Sequence, residues 1–321
     1  MKKSLLFLSL LLSLFFSYSQ TYHSWDGKNN GISSDSKFHI LNIFVNVIYD
    51  VHPDTNIVED TVWPRDTNSL HEGVNVPGTI PCHLLDFMDT SYVCGHPHGC
   101  ITRLFGESSF DTLQLTGDFI VVNVKESRVI QTYDTFFYKS IACTAIDVIN
   151  DSGFSTLYGH DSIEYYDYYH ENEFFFVQVI IRNISTLYGQ LGVGSGHGDP
   201  GLDDKYITIH NIRYGFSGKG TLQCVGAGNW FMNPVGVVPH EISHTLFGDN
   251  SFHTSGGNHR GCSEPMPFMT VQGGYGLMGG GFSGLVGCNG YERWRMHWKH
   301  PASPYYIGAR NAMNNGFVSS D

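Results

Sequence analysis

Residues 240–244 read His-Glu-Ile-Ser-His, and this spacing points to one backbone conformation. In an α-helix, positions i and i+4 lie one above the other on a single face. A helix therefore aims His240 and His244 at the same point and sets Glu241 beside them. Two imidazoles converging in this way match the geometry a zinc ion needs, with a carboxylate in reach of a water at that point. The apolar run Val-Gly-Val-Val at 235–238 leads into the motif, and Pro239 suits a first helical turn. The pattern predicts a helix over about residues 237–247.

Zinc held by protein ligands needs a third donor. Gly248 can adopt the left-handed conformation that ends a helix and turns the chain back. His253 arrives five residues later and is the expected third ligand. Asp249, Asn250, His259 and Glu264 are the alternatives. Asn250 is disfavoured because amides are poor zinc ligands. Glu264 ranks last, since the stretch Gly-Cys-Ser-Glu-Pro-Met-Pro at 261–267 is a poor helix. Further on, residues 273–281 place six glycines around Leu277 and Met278, which suits a tight turn better than a helix or strand. Residues 293–299, Arg-Trp-Arg-Met-His-Trp-Lys, read as a final helix.

Together these segments resemble the metzincin metalloproteases, in which a His-Glu-x-x-His helix is followed by a glycine turn, a third histidine and a methionine turn. Over about residues 236–299 the chain is similar to secreted bacterial proteases of the gametolysin and immune inhibitor A type. The resemblance implies an α/β (α+β) zincin catalytic domain: a twisted, mostly parallel sheet, an active-site helix and a methionine turn at Met278. It also implies zinc held by His240, His244 and His253, with Glu241 as general base. The match departs from the family pattern in three places. His253 lies 13 residues after His240, where the consensus has ten and this chain has Asn250. Some relatives use an aspartate as third ligand, which keeps Asp249 in play. Gly280 stands where some metzincins carry a tyrosine.

The N-terminus agrees with export. Lys2 and Lys3 precede an apolar core at 5–16, and Ser17 and Ser19 are small enough to flank a cleavage site. Residues 1–19 are therefore expected to be a signal peptide, leading to a secreted or cell-surface protein. That core is too short to span a bilayer comfortably, and no later segment qualifies. The mature chain carries seven cysteines, a number that suggests some disulfides in an exported protein. Cys143 falls in an apolar helical pattern and is expected to be a buried free thiol. Cys262 and Cys288 flank the glycine turn and could staple it. Cys82, Cys94 and Cys100 share a polar region with His96 and His98, but their spacing matches no strong zinc pattern. A net charge of −12, with no basic patch to offset it, argues against a nucleic-acid partner.

Residues 20–36 are polar and suggest a loose start, followed by one catalytic domain over 37–321 and room for a further domain beyond. Strands are expected at 38–49, 118–124, 173–182 and 205–212, with a helix at 138–150. Residues 50–116, with clusters of Pro, Asp, Asn and Cys, read as a long insertion. Asp199, Asp203 and Asp204 form an acidic loop that could bind calcium, although a solvated loop is the safer reading. The function this supports is single-zinc hydrolysis of protein or peptide substrates. Two alternatives remain at this stage: a catalytically silent zinc-containing adhesion domain, and a zinc hydrolase acting on a non-peptide bond.

Overall fold

From Phe38 to Val47 the first strand is apolar at seven of ten positions, a composition that suits a strand covered on both faces. The computed structural model describes residues 36–56, 84–93, 95–135, 137–184, 196–225 and 232–247, together with Leu277, Cys288, Arg293 and Trp298. In chain order the elements are β1 (Lys37–Ile48), α1 (Leu84–Phe87), α2 (Cys100–Ser109), β2 (Gln114–Lys125), α3 (Glu126–Tyr133) and α4 (Tyr138–Ser152). There follow β3 (Glu173–Phe174), β4 (Val177–Arg182), β5 (Gly196–His197), β6 (Ile207–Ile209), β7 (Ile212–Phe216), β8 (Gly220–Val225) and α5 (Met232–Phe247). The main sheet has the order β2-β1-β4-β8-β5. Its pairings are parallel except at the edge, where β5 runs antiparallel to β8. A smaller sheet orders β3-β7-β6. The protein is thus mixed α/β with a mainly parallel sheet.

Alternation along the strands builds two cores. Phe38, Ile40 and Phe44 of β1 and Leu115 and Phe119 of β2 face one side, where Ile101 and Phe105 of α2 and Val238, Ile242 and Leu246 of α5 close over them. Leu41, Ile43, Val45 and Val47 face the other side, against Ile141, Ala142, Ala145, Ile146 and Ile149 of α4. The helix expected at 138–150 is therefore present, and it ends at Gly153, whose φ of 85° suits glycine. The described part of residues 50–116 is integral to the first core, since α1 and α2 lie on the connection from β1 to β2 and bury Leu84, Phe87, Ile101 and Phe105. At the start of α2, the buried Asp89 carboxylate accepts the backbone N–H groups of His98 and Gly99 at 2.6 Å each.

Three elements differ from the sequence expectation. The apolar run 173–182 splits, because Phe175 and Phe176 both bury on the α2/α5 side and break the pleat. β3 then pairs with β7 in the small sheet, whereas β4 becomes the middle strand of the main one. The stretch expected as a single strand at 205–212 is part of a hairpin, which turns at His210 and Asn211 with φ values of 49° and 67°. β8, which precedes the zinc-motif helix, had no counterpart in the expectation. It places Thr221 and Gln223 on the face under α5, beside Gln178 of β4. All three are at most 1% exposed, and their side chains have no hydrogen-bond partner among the described residues.

Candidate metal centre

α5 begins about a turn and a half before the expected start, so Pro239 falls in the helix interior. Pro234 takes the first-turn role instead, where its missing N–H costs nothing. Pro239 cannot donate to the carbonyl of Val235, and its own carbonyl accepts the Ser243 hydroxyl at 2.7 Å. Val238, Ile242 and Leu246 recur every fourth residue and seat the helix on the first core. His240 and His244 are offset by two positions, about 200° around the axis, and so occupy the opposite side.

That opposite side is also buried. His240, Glu241 and His244 are only 7%, 7% and 4% exposed. The rings of His240 and His244 have centroids 5.0 Å apart and stand at 89° to each other. One ligand-type atom from each of the three residues lies within 4.8 Å of the others. Nε2 of His244 is 3.8 Å from Oε2 of Glu241. Nδ1 of His240 is 2.7 Å from the carbonyl oxygen of Leu277. Since a carbonyl only accepts, Nδ1 carries the proton, and Nε2 keeps its lone pair for a metal. Such an outer partner is the usual device for fixing a metal-binding imidazole. Burial pushes the Glu241 carboxyl up to about 7. The donor set therefore fits a zinc ion: two imidazoles on one helix face, one with its tautomer set, and a carboxylate next to them.

Leu277 also brings the glycine-rich stretch into the argument, because it sits fully buried in the same cluster as Val238, Ile242 and Leu246. The adjacent Met278 lies outside the described residues, as do His253, Asp249, Asn250, His259 and Glu264. The same holds for residues 1–19, expected from the sequence to be a signal peptide, and for Cys82, Cys94 and Cys262. Cys143 is a free, half-buried thiol on α4, and Cys224 is a free, fully buried one on β8. Asp199, Asp203 and Asp204 do not gather into a metal-ligand group. Asp199 instead pairs with Lys139 at 3.1 Å and accepts the Gly201 N–H at 2.7 Å. Among the described residues, no helix is long and apolar enough to cross a membrane.

A second convergence of ligand-type groups, His39, Asp118 and His160, had gone unnoticed in the sequence. Its one local signal is a polar residue set among the apolar positions of a strand, in Phe-His-Ile-Leu at 38–41 and Gly-Asp-Phe-Ile at 117–120. Comparison of the chain with family models, with curated proteins and with solved structures finds no match.

Proposed function

We propose that the chain is an exported zinc-dependent metalloendopeptidase with a metzincin-like catalytic domain. The observation that carries this reading is the convergence of His240, Glu241 and His244 on one buried point, with Nδ1 of His240 committed to Leu277. The edge of the mostly parallel sheet beneath α5, and the burial of Leu277 in the core that α5 covers, are in keeping with it. His240 and His244 are the first two ligands, and His253 is the proposed third.

Zinc bound there would polarise the scissile carbonyl and make water a stronger acid and better nucleophile. Glu241 takes the proton of the attacking water and later passes it to the leaving amine. The buried carboxylate beside the two imidazoles is placed for this double duty, which asks one group both to accept and to release a proton. The intact Glu241 also favours an enzyme over a silent zinc-containing domain, since a purely structural metal site has no use for an adjacent base.

The test is Glu241→Gln, which keeps the size of the side chain and removes its basicity. Zinc content after dialysis should match wild type, while casein cleavage should fall by about 10²–10⁴-fold. Chelation of the wild-type protein should abolish cleavage, and added zinc should restore it. A Gln variant that holds zinc and cleaves casein at the wild-type rate would reject the assignment.

A further inference from the structure

The cluster of His39, Asp118 and His160 lies on the far face of the sheet from the α5 side chains. His39 shares its face of β1 with Leu41 and Ile43, and Asp118 shares its face of β2 with Ile120 and Val122, on the α4 side. His160 comes from the connection between α4 and β3, just before the short 3-10 turn Ile163–Tyr165. Asp118 is fully buried, and the side chains of His39 and His160 are 10% and 29% exposed. We propose that His39, Asp118 and His160 form a second metal site, for a divalent first-row transition ion, that ties β1 and β2 to this connection.

Geometry supports the assignment. Oδ2 of Asp118 lies 2.9 Å from Nε2 of His39 and 2.9 Å from Nδ1 of His160. On an ion with ligand bonds of about 2.0–2.1 Å and tetrahedral angles, ligand atoms stand roughly 3.4 Å apart. Each of these two pairs therefore needs to open by only about 0.5 Å, and the third pair already lies within 4.8 Å. The buried Nε2 of His39 has Oδ2 of Asp118 beside it and no better-aligned partner among the described residues. An ion between them would take the nitrogen's lone pair and the carboxylate's charge at once.

The surroundings resemble an outer coordination shell. Nδ1 of His39 is 2.8 Å from the Thr116 hydroxyl, which fixes the ring and, by accepting from Nδ1, would leave Nε2 to act as ligand. The Tyr166 hydroxyl lies 2.8 Å from both Oδ2 of Asp118 and the His160 carbonyl, orienting two of the three ligands. His39, Thr116 and Tyr165 also line a cavity of about 540 Å³, which gives an ion a path from solvent. Two imidazoles and one carboxylate suit zinc, copper, nickel or iron, whereas calcium and magnesium prefer an all-oxygen shell.

The experiment counts zinc in the full-length protein after equilibrium dialysis against a competing chelator. This site does not depend on the α5 centre, so the two are separated by variants. His244→Ala removes the α5 ion and should leave one tightly held equivalent. Adding His160→Ala to it should weaken binding of that remaining ion by about 100-fold or more and remove the zinc-dependent rise in Tm. His160 is the safer residue to truncate because it is partly exposed, and Asp118→Asn repeats the test with the buried shape kept. Circular dichroism checks that each variant is folded. If folded His244→Ala retains no zinc, or if His160→Ala and Asp118→Asn leave its remaining equivalent unchanged, the second site is refuted.

Discussion

Truncating Leu277 to alanine separates two roles that meet at one residue. Its side chain is fully buried against Val238, Ile242 and Leu246, and its carbonyl accepts from His240 Nδ1 at 2.7 Å. Removing a buried leucine side chain costs about 2–5 kcal/mol, depending on how far the surroundings collapse. Ile101→Ala on α2 is the control, because Ile101 is fully buried in the same cluster and bonds to neither histidine. Both variants should lose comparable stability in urea denaturation followed by circular dichroism. Only Leu277→Ala should let the carbonyl drift from His240, since the side chain is what anchors that turn to α5. Losing an outer partner of a metal-binding histidine weakens affinity by about 10–100-fold, or roughly 1.4–2.7 kcal/mol. Zinc competition against a fluorescent chelator measures this. Equal zinc affinity in the two variants would show that Leu277 merely fills space, and that His240 takes its orientation from elsewhere.

Two further outcomes probe the scaffold and its buried groups. Gly117→Ala should cost about 1–3 kcal/mol in urea denaturation, because its new Cβ would stand 2.7 Å from the Ile40 carbonyl, which the β1 ladder holds in place. A loss below about 0.5 kcal/mol would mean that the strands part more easily than the close approach implies. Burial pushes the Cys224 thiol up to about 12, so at pH 8 only about one molecule in 10⁴ carries the reactive thiolate. Iodoacetamide should leave Cys224 unmodified in the native protein and label it in denaturant, as read by peptide mass spectrometry; rapid native labelling would contradict its burial.

Where a segment carries its own periodicity, the sequence is a sound guide. α4 repeats apolar residues at helical spacing, and β1 is too apolar to be anything but a covered strand. The motif on α5 is equally plain, because its chemistry is written in adjacent residues. Legibility fails where partners decide the outcome. The Phe174-Phe175-Phe176 run looks like continuous strand, yet consecutive rings turning to one side divide it between two sheets. β8 hides because Thr221 and Gln223 give it the alternation of a half-exposed strand, although both are buried. Pro239 reads as a helix start and is instead an interior residue, since Pro234 and the residues around it extend the helix backwards. His39, Asp118 and His160 come from β1, β2 and a later connection, so only the parallel register of β1 and β2 makes them neighbours.

The two sides of α5 place opposite demands on the chain, and the proposed metal reconciles them. Val238, Ile242 and Leu246 gain from burial in the ordinary way, by leaving water. His240, Glu241 and His244 are buried just as deeply, and polar groups removed from water are destabilising unless something takes their lone pairs or charge. Leu277 answers for one nitrogen of His240. For Glu241 the metal-free chain has a simpler solution, a carboxyl pushed up to about 7 that stays largely protonated below neutral pH. A divalent cation held by the neighbouring imidazoles would favour the ionised carboxylate. Under the proposed reading, the groups that are costly to bury are also those that would hold the ion. Metal affinity and the stability of the region around α5 then become parts of one free energy.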